Sequence, residues 1–136
     1  MKKTVLISII LTILVFSSCS LFKNHSKSTS KQLIGKWEFV NIKSPDMTEK
    51  QQLELESYIK EAIKGSYLKI DADNTFEMIL KNENQDGAWR VSKDGKELIL
   101  VGKDELILTI DELTNDILTV TTKNDKKVIM YLERAE

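Results

Sequence analysis

One cysteine, one histidine, one proline and five glycines are all that this 136-residue chain holds of the residue types that most often carry chemistry or break a chain. From residue 33 onward it has neither Cys nor His. Thiol nucleophiles, Cys/His zinc sites and hydroxyls activated by histidine are therefore excluded from that span. No glycine-rich phosphate loop occurs either, and no cofactor motif is present. Carboxylates are plentiful, but none falls on a predicted apolar face where burial would raise its pKa for acid–base work. The sequence therefore points away from an enzyme and implies no cofactor and no metal. A formal net charge of −1 conceals a split. Residues 1–32 carry five lysines and no acid, whereas residues 33–136 carry 15 Lys and Arg against 21 Asp and Glu, or about −6. An acidic body excludes nucleic acid as a partner, since phosphate contacts need a basic surface.

The N-terminus has the three-part order of a secretory leader. Met1 to Lys3 are basic, Val5 to Phe16 are apolar apart from Ser8 and Thr12, and Phe16-Ser17-Ser18-Cys19 ends the run in small residues. A spanning helix needs about 20 apolar residues, so a run of this length makes no stable anchor by itself. Phe16-Ser17-Ser18-Cys19 resembles the lipobox of bacterial lipoproteins. The resemblance implies a signal peptide over residues 1–18, removal of it before Cys19, and fatty-acyl chains such as palmitate on Cys19. Two or three acyl chains hold a protein stably at a membrane where one does not. Ser20 in place of Asp implies, on the same resemblance, sorting to the outer membrane, and the lack of an acidic run after Cys19 of the kind that resembles a surface-export signal implies a body facing the periplasm.

Residues 20–32 are rich in Ser and Lys and lack periodicity, which predicts a flexible tether between Cys19 and a single domain over residues 33–136. Within that domain Gly35 to Ile42 alternates, placing Trp37, Phe39 and Asn41 on one face of a strand. Thr48 with Gln51 forms a capping-box pattern, Gly65 stands at a C-cap position, and Leu55, Tyr58, Ile59 and Ala62 recur at helical spacing, predicting a helix over about 49–64. From Ser66 the period becomes two. Residues 67–71, 75–81, 88–91, 97–101, 105–111, 117–122 and 127–133 read as seven more strands with short polar links, Asn84 to Gly87 and Asp94-Gly95 among them. Asp94-Gly95 predicts a two-residue hairpin loop with positive φ at both positions. Short links make each strand pair antiparallel with the next, so the expected fold is mainly β: an eight-stranded antiparallel up-and-down barrel with one helix between strands 1 and 2.

Gly35-Lys36-Trp37 at the start of the first strand resembles the Gly-x-Trp of lipocalins, and the meander resembles the compact lipocalin-like domains of bacterial lipoproteins. That resemblance implies that Trp37 packs at the closed end of the barrel beneath a basic residue after the last strand, and Arg134 stands in the matching place. The chain is shorter than a typical lipocalin and has a helix where lipocalins have a long loop. Two functional readings stay open. An apolar cavity lined by Trp37, Phe39, Phe76, Met78, Trp89, Leu108 and Met130 would take a small hydrophobic ligand, with Leu55, Tyr58, Ile59 and Ala62 as a lid. A barrel filled by those same side chains would instead be a module that engages an envelope protein partner.

Overall fold

The computed structural model describes residues 26–135. The leader and Cys19 lie outside the described residues. Along the chain the elements are α1 (residues 26–33), β1 (Gly35–Lys43), α2 (Glu49–Ile63), β2 (Tyr67–Ile70), β3 (Thr75–Leu80), β4 (Glu83–Val91), β5 (Glu97–Val101), β6 (Glu105–Leu113), β7 (Ile117–Thr122) and β8 (Ile129–Arg134). The eight strands pair in sequence order and close through β1 and β8 into a barrel. Every pairing is antiparallel. The meander predicted from the period-two pattern and the short links is the fold observed.

Alternation places one apolar face inward. Trp37, Leu68, Ile70, Leu98, Leu100, Leu108, Leu118, Val120 and Leu132 are almost wholly buried, and Phe39, Phe76, Met78, Trp89 and Met130 join them in one continuous cluster. Each such side chain contributes about 1.5–3 kcal/mol by leaving water, so this cluster is the main source of stability. Phase changes once in β1. A bulge between Phe39 and Asn41 shifts the register against β8, so Ile42 rather than Asn41 packs against the core. Asn41 turns its Oδ1 back to accept from the Ile42 N–H at 2.9 Å.

Four local expectations need correction. Residues 26–32, read as tether, are helical, and α1 ends in Leu33, which is completely buried. Docking of that apolar side chain, with Arg134 and Trp37 bonding the carbonyls at the end of the helix, orders this polar stretch where periodicity does not. β4 begins at Glu83 rather than Ala88, so Asn84 to Gly87 are strand. The turn before it is the pair Lys81-Asn82, at φ 54° and 67°. These are the two left-handed positions of a tight hairpin turn, here without glycine. At the next turn Gly95 alone has positive φ, and the Gly95 N–H donates to the Ser92 carbonyl at 2.9 Å. Asp94-Gly95 thus lies in a longer loop, with a four-residue turn followed by the left-handed glycine. Finally, β8 starts at Ile129 and β6 runs on to Leu113, past a second bulge between Ile110 and Glu112.

Helix α2 has the capping box expected of it: the Gln51 N–H donates to Thr48 Oγ1 at 3.2 Å and the Thr48 N–H donates to Gln51 Oε1 at 3.0 Å. Gly65 follows with φ 76°. The helix packs chiefly against β1 and buries Ile63, with Ile59 against the same core.

Candidate functional site

The two ends of the barrel are built differently. At the closed end the Arg134 guanidinium stands 4.2 Å from the centre of the Trp37 ring. Its Nη1 donates to the Ile34 carbonyl at 2.8 Å, its Nη2 to the Gln32 carbonyl at 2.7 Å, and its Nε to the Asn115 carbonyl. Trp37 Nε1 donates to the Leu33 carbonyl at 2.8 Å. Three successive carbonyls at the C-terminus of α1 are thereby satisfied by side chains of β1 and β8, with a cation where the helix dipole favours one. Gly35, at φ 139°, leaves the room this needs, since a Cβ there would overlap Arg134 Nη1. Trp89 performs a parallel task nearby, donating from Nε1 to the Asp71 carbonyl at 2.8 Å. This end is a plug of paired groups.

The open end carries the cleft. β5 has five residues where β4 has nine, and their pairing stops at Ala88 opposite Val101. Beyond that point Glu83 to Gly87 pair, among the described residues, with β3 alone, so the β3–β4 hairpin projects past the β5–β6 turn. Gly87 and Gly102 let that turn close against β4. A Cβ on Gly87 would collide with the Val101 carbonyl, and one on Gly102 would come within 2.9 Å of the Asp86 carbonyl. An open cleft of about 540 Å³ lies above this contact. It is lined by Met78, Glu83, Asn84, Gln85, Asp86, Lys103, Asp104, Glu105 and Leu106. Cross-strand pairing puts Gln85 on the face of Met78 and Glu83 on the face of Leu80, so the cleft has an apolar floor and a polar wall.

Of the seven residues read as a ligand cavity, all are buried in the core, and Met78 alone also lines this cleft. The helix read as a lid is out of phase with that role. Tyr58 is 71% exposed and Leu55 39%, with Leu53 at 70% beside them, while Ile59 and Ala62 are half-buried. The side of α2 turned inward is that of Gln52, Glu56, Ile59 and Ile63; Gln52 Nε2 donates to the Ile42 carbonyl at 3.2 Å. The pattern at 55, 58, 59 and 62 is real, but it is centred on the flank of the helix. Sequence reasoning missed Glu83, Asn84, Gln85 and Asp86 as strand and as cleft wall, though Lys81-Asn82 between alternating runs could have signalled the turn.

Titratable groups with displaced pKa values are scattered. A carboxylate of Glu77 accepting from the Tyr67 hydroxyl holds that phenol above its usual value, and Lys36 Nζ stands 4.3 Å over the same ring. The Thr75 hydroxyl and N–H hold the Asp73 carboxyl low, and the Ser92 hydroxyl with the Lys96 N–H does the same for Asp94. Among the described residues no three His, Cys, Asp or Glu side chains converge as metal ligands would, and no helix is long and apolar enough to cross a membrane.

The fold is a closed eight-stranded up-and-down barrel. In its fold the chain is similar to the crystal structure of a DUF4847 family protein from Bacteroides vulgatus, with a TM-score of 0.50, 14% sequence identity, and coverage of 71% of this chain and 90% of that one. At that identity the likeness is one of fold. No family model matches the sequence, and no curated protein matches it.

Proposed function

We propose that the chain is a non-catalytic, lipid-anchored protein of the bacterial cell envelope whose barrel serves as a solid platform for another envelope protein. The observation that carries this reading is the contrast between interior and rim. Trp37, Phe39, Phe76, Trp89, Leu108 and Met130 fill the barrel at 6% exposure or less, while Leu53 and Tyr58 on α2 stand about 70% exposed. Filled barrels hold no cargo, and exposed aromatic and aliphatic side chains are what partners bury. The anchor belongs to the reading of Phe16-Ser17-Ser18-Cys19, with acylated Cys19 in the outer membrane and the barrel in the periplasm. Among the described residues the carboxyls with displaced pKa values, Asp73 and Asp94, are exposed and bonded locally at separate turns, which favours the non-catalytic class.

A photo-crosslinking side chain at Tyr58 in living cells tests the platform. A discrete protein adduct, lost when the crosslinker is moved to Glu133, is the expected result; adducts that do not depend on position would refute it. A second reading, a small amphiphilic ligand at the rim, draws on the Met78 and Leu106 floor of the cleft. Native mass spectrometry of the protein extracted from its own envelope separates the two, because a bound cargo would leave as a discrete mass on denaturation. The anchor has its own test: Cys19→Ala should move the protein from the membrane fraction to the soluble one, and continued membrane partitioning would remove the assignment.

A further inference from the structure

We infer that the free edge of β4 over Glu83 to Asp86 is a docking edge for an extended, lysine- or arginine-rich segment of a protein partner, added to the barrel as a short extra strand. The inference rests on the platform reading and names the chemistry of what the platform holds. Three observations meet at this place. First, β5 ends opposite Ala88, so the four residues Glu83, Asn84, Gln85 and Asp86 have β3 on one side and no strand on the other among the described residues, although the Asp86 carbonyl faces Gly102 of the β5–β6 turn. Unpaired backbone N–H and C=O groups in an extended conformation are a template for another strand. Second, the space beside that edge is already open, at about 540 Å³, with Met78 and Leu106 beneath it to receive alternate apolar side chains. Third, the walls carry Glu83, Asp86, Asp104 and Glu105 against Lys103 within the cleft, with Arg90 4.0 Å from Glu105 outside it, so the acids remain in excess.

The charge decides between occupants. A second copy of this chain pairing antiparallel on the same edge would set Glu83 opposite Asp86 twice over, and like charges directly opposed across strands are destabilising. An acidic segment meets the same repulsion. A cationic strand removes it, and the carboxylates would also hasten its arrival at low salt. The edge therefore rejects its own kind and selects the opposite sign.

The full chain in non-ionic detergent, titrated with a labelled six-residue peptide of alternating Lys and Val, tests the inference. Saturable binding is expected, with slowed amide exchange confined to residues 83–86 and the cleft. Alternate N-methylation of the peptide should weaken binding at least tenfold, since it removes strand hydrogen bonds and leaves the charge. Exchanging Glu83, Asp86 and Asp104 for Gln, Asn and Asn should weaken it by a similar factor, and these exposed side chains are dispensable to the core. Equal binding of the N-methylated peptide, equal binding of a Glu/Val peptide, protection on α2 instead, or no binding would each overturn the docking edge. A partner crosslinked from Tyr58 while the Lys/Val peptide fails would keep the platform and discard this edge; a peptide that binds while Tyr58 yields no adduct would do the reverse.

Discussion

Arg134 lies over Trp37 at 4.2 Å and binds the backbone on both sides of Leu33, with the Ile34 carbonyl 100 residues away in sequence. One guanidinium thus joins β8, β1 and α1. Arg134→Met should cost about 2–3 kcal/mol, from carbonyls left without their charged donor and a lost cation–π contact. Urea denaturation reads the cost, and amide exchange over residues 26–33 should accelerate because α1 loses its tie. Arg134→Lys should recover less than half, since an ammonium cannot span the Gln32 and Ile34 carbonyls together. Exchange in α1 unchanged in the Met variant would contradict this account.

Two glycines separate space from backbone conformation. Gly87→Ala puts a methyl into the Val101 carbonyl and should cost about 2 kcal/mol or more, as the β5–β6 turn must shift. Gly65, at φ 76°, has nothing within 4 Å of a Cβ. Its change to Ala should cost only about 1 kcal/mol, from the left-handed backbone, and Gly65→Asn less. Thermal unfolding of the three variants checks the order.

The hairpin at Lys81-Asn82 spends two non-glycine residues at positive φ. Replacing the pair by Asn-Gly should stabilise the barrel by about 0.5–1 kcal/mol, because those residues enter that region at less cost. A shift of the unfolding midpoint in the other direction would show that Lys81 or Asn82 makes a contact worth more than its strain.

Asp73 and Asp94 have depressed folded pKa values, from the Thr75 hydroxyl and the Ser92 hydroxyl first and neighbouring N–H groups second. Their stabilisation is complete above the unfolded value of 3.8 and is lost as pH falls below it through the folded values. Carbon-detected titration should place both carboxyls below 3.8, and Thr75→Val should return Asp73 towards it. Tyr67 works in the opposite sense. Its raised pKa makes the Glu77 bond a contribution present below pH 10 and lost as pH rises through the folded value.

Period-two alternation made most of the barrel readable, because most inward strand positions are apolar and nearly every link is short. It failed where phase depends on a partner strand. The bulge after Phe39 exchanges Asn41 for Ile42 at the core, and no local residue announces it. Residues 83–86 are polar on both faces because both faces meet water, so the pattern had nothing to alternate between. Residues 26–32 were equally opaque, since α1 is held by Arg134 and Trp37 from distant strands. In α2 the apolar spacing was legible, but which flank faces β1 is decided by packing, and Tyr58 was left outside. The rim cleft was therefore the least legible part, being made by a difference in strand length.

The seam between β1 and β8 has a consequence for timing. A chain made N-terminus first delivers Trp37 long before Arg134. Until the last strand arrives, β1 has one flank bare and the barrel is an open ribbon with its apolar side in water. Closure is thus a late, long-range event of the kind that makes folding slow, and the partly delivered chain is the form most in need of a chaperone.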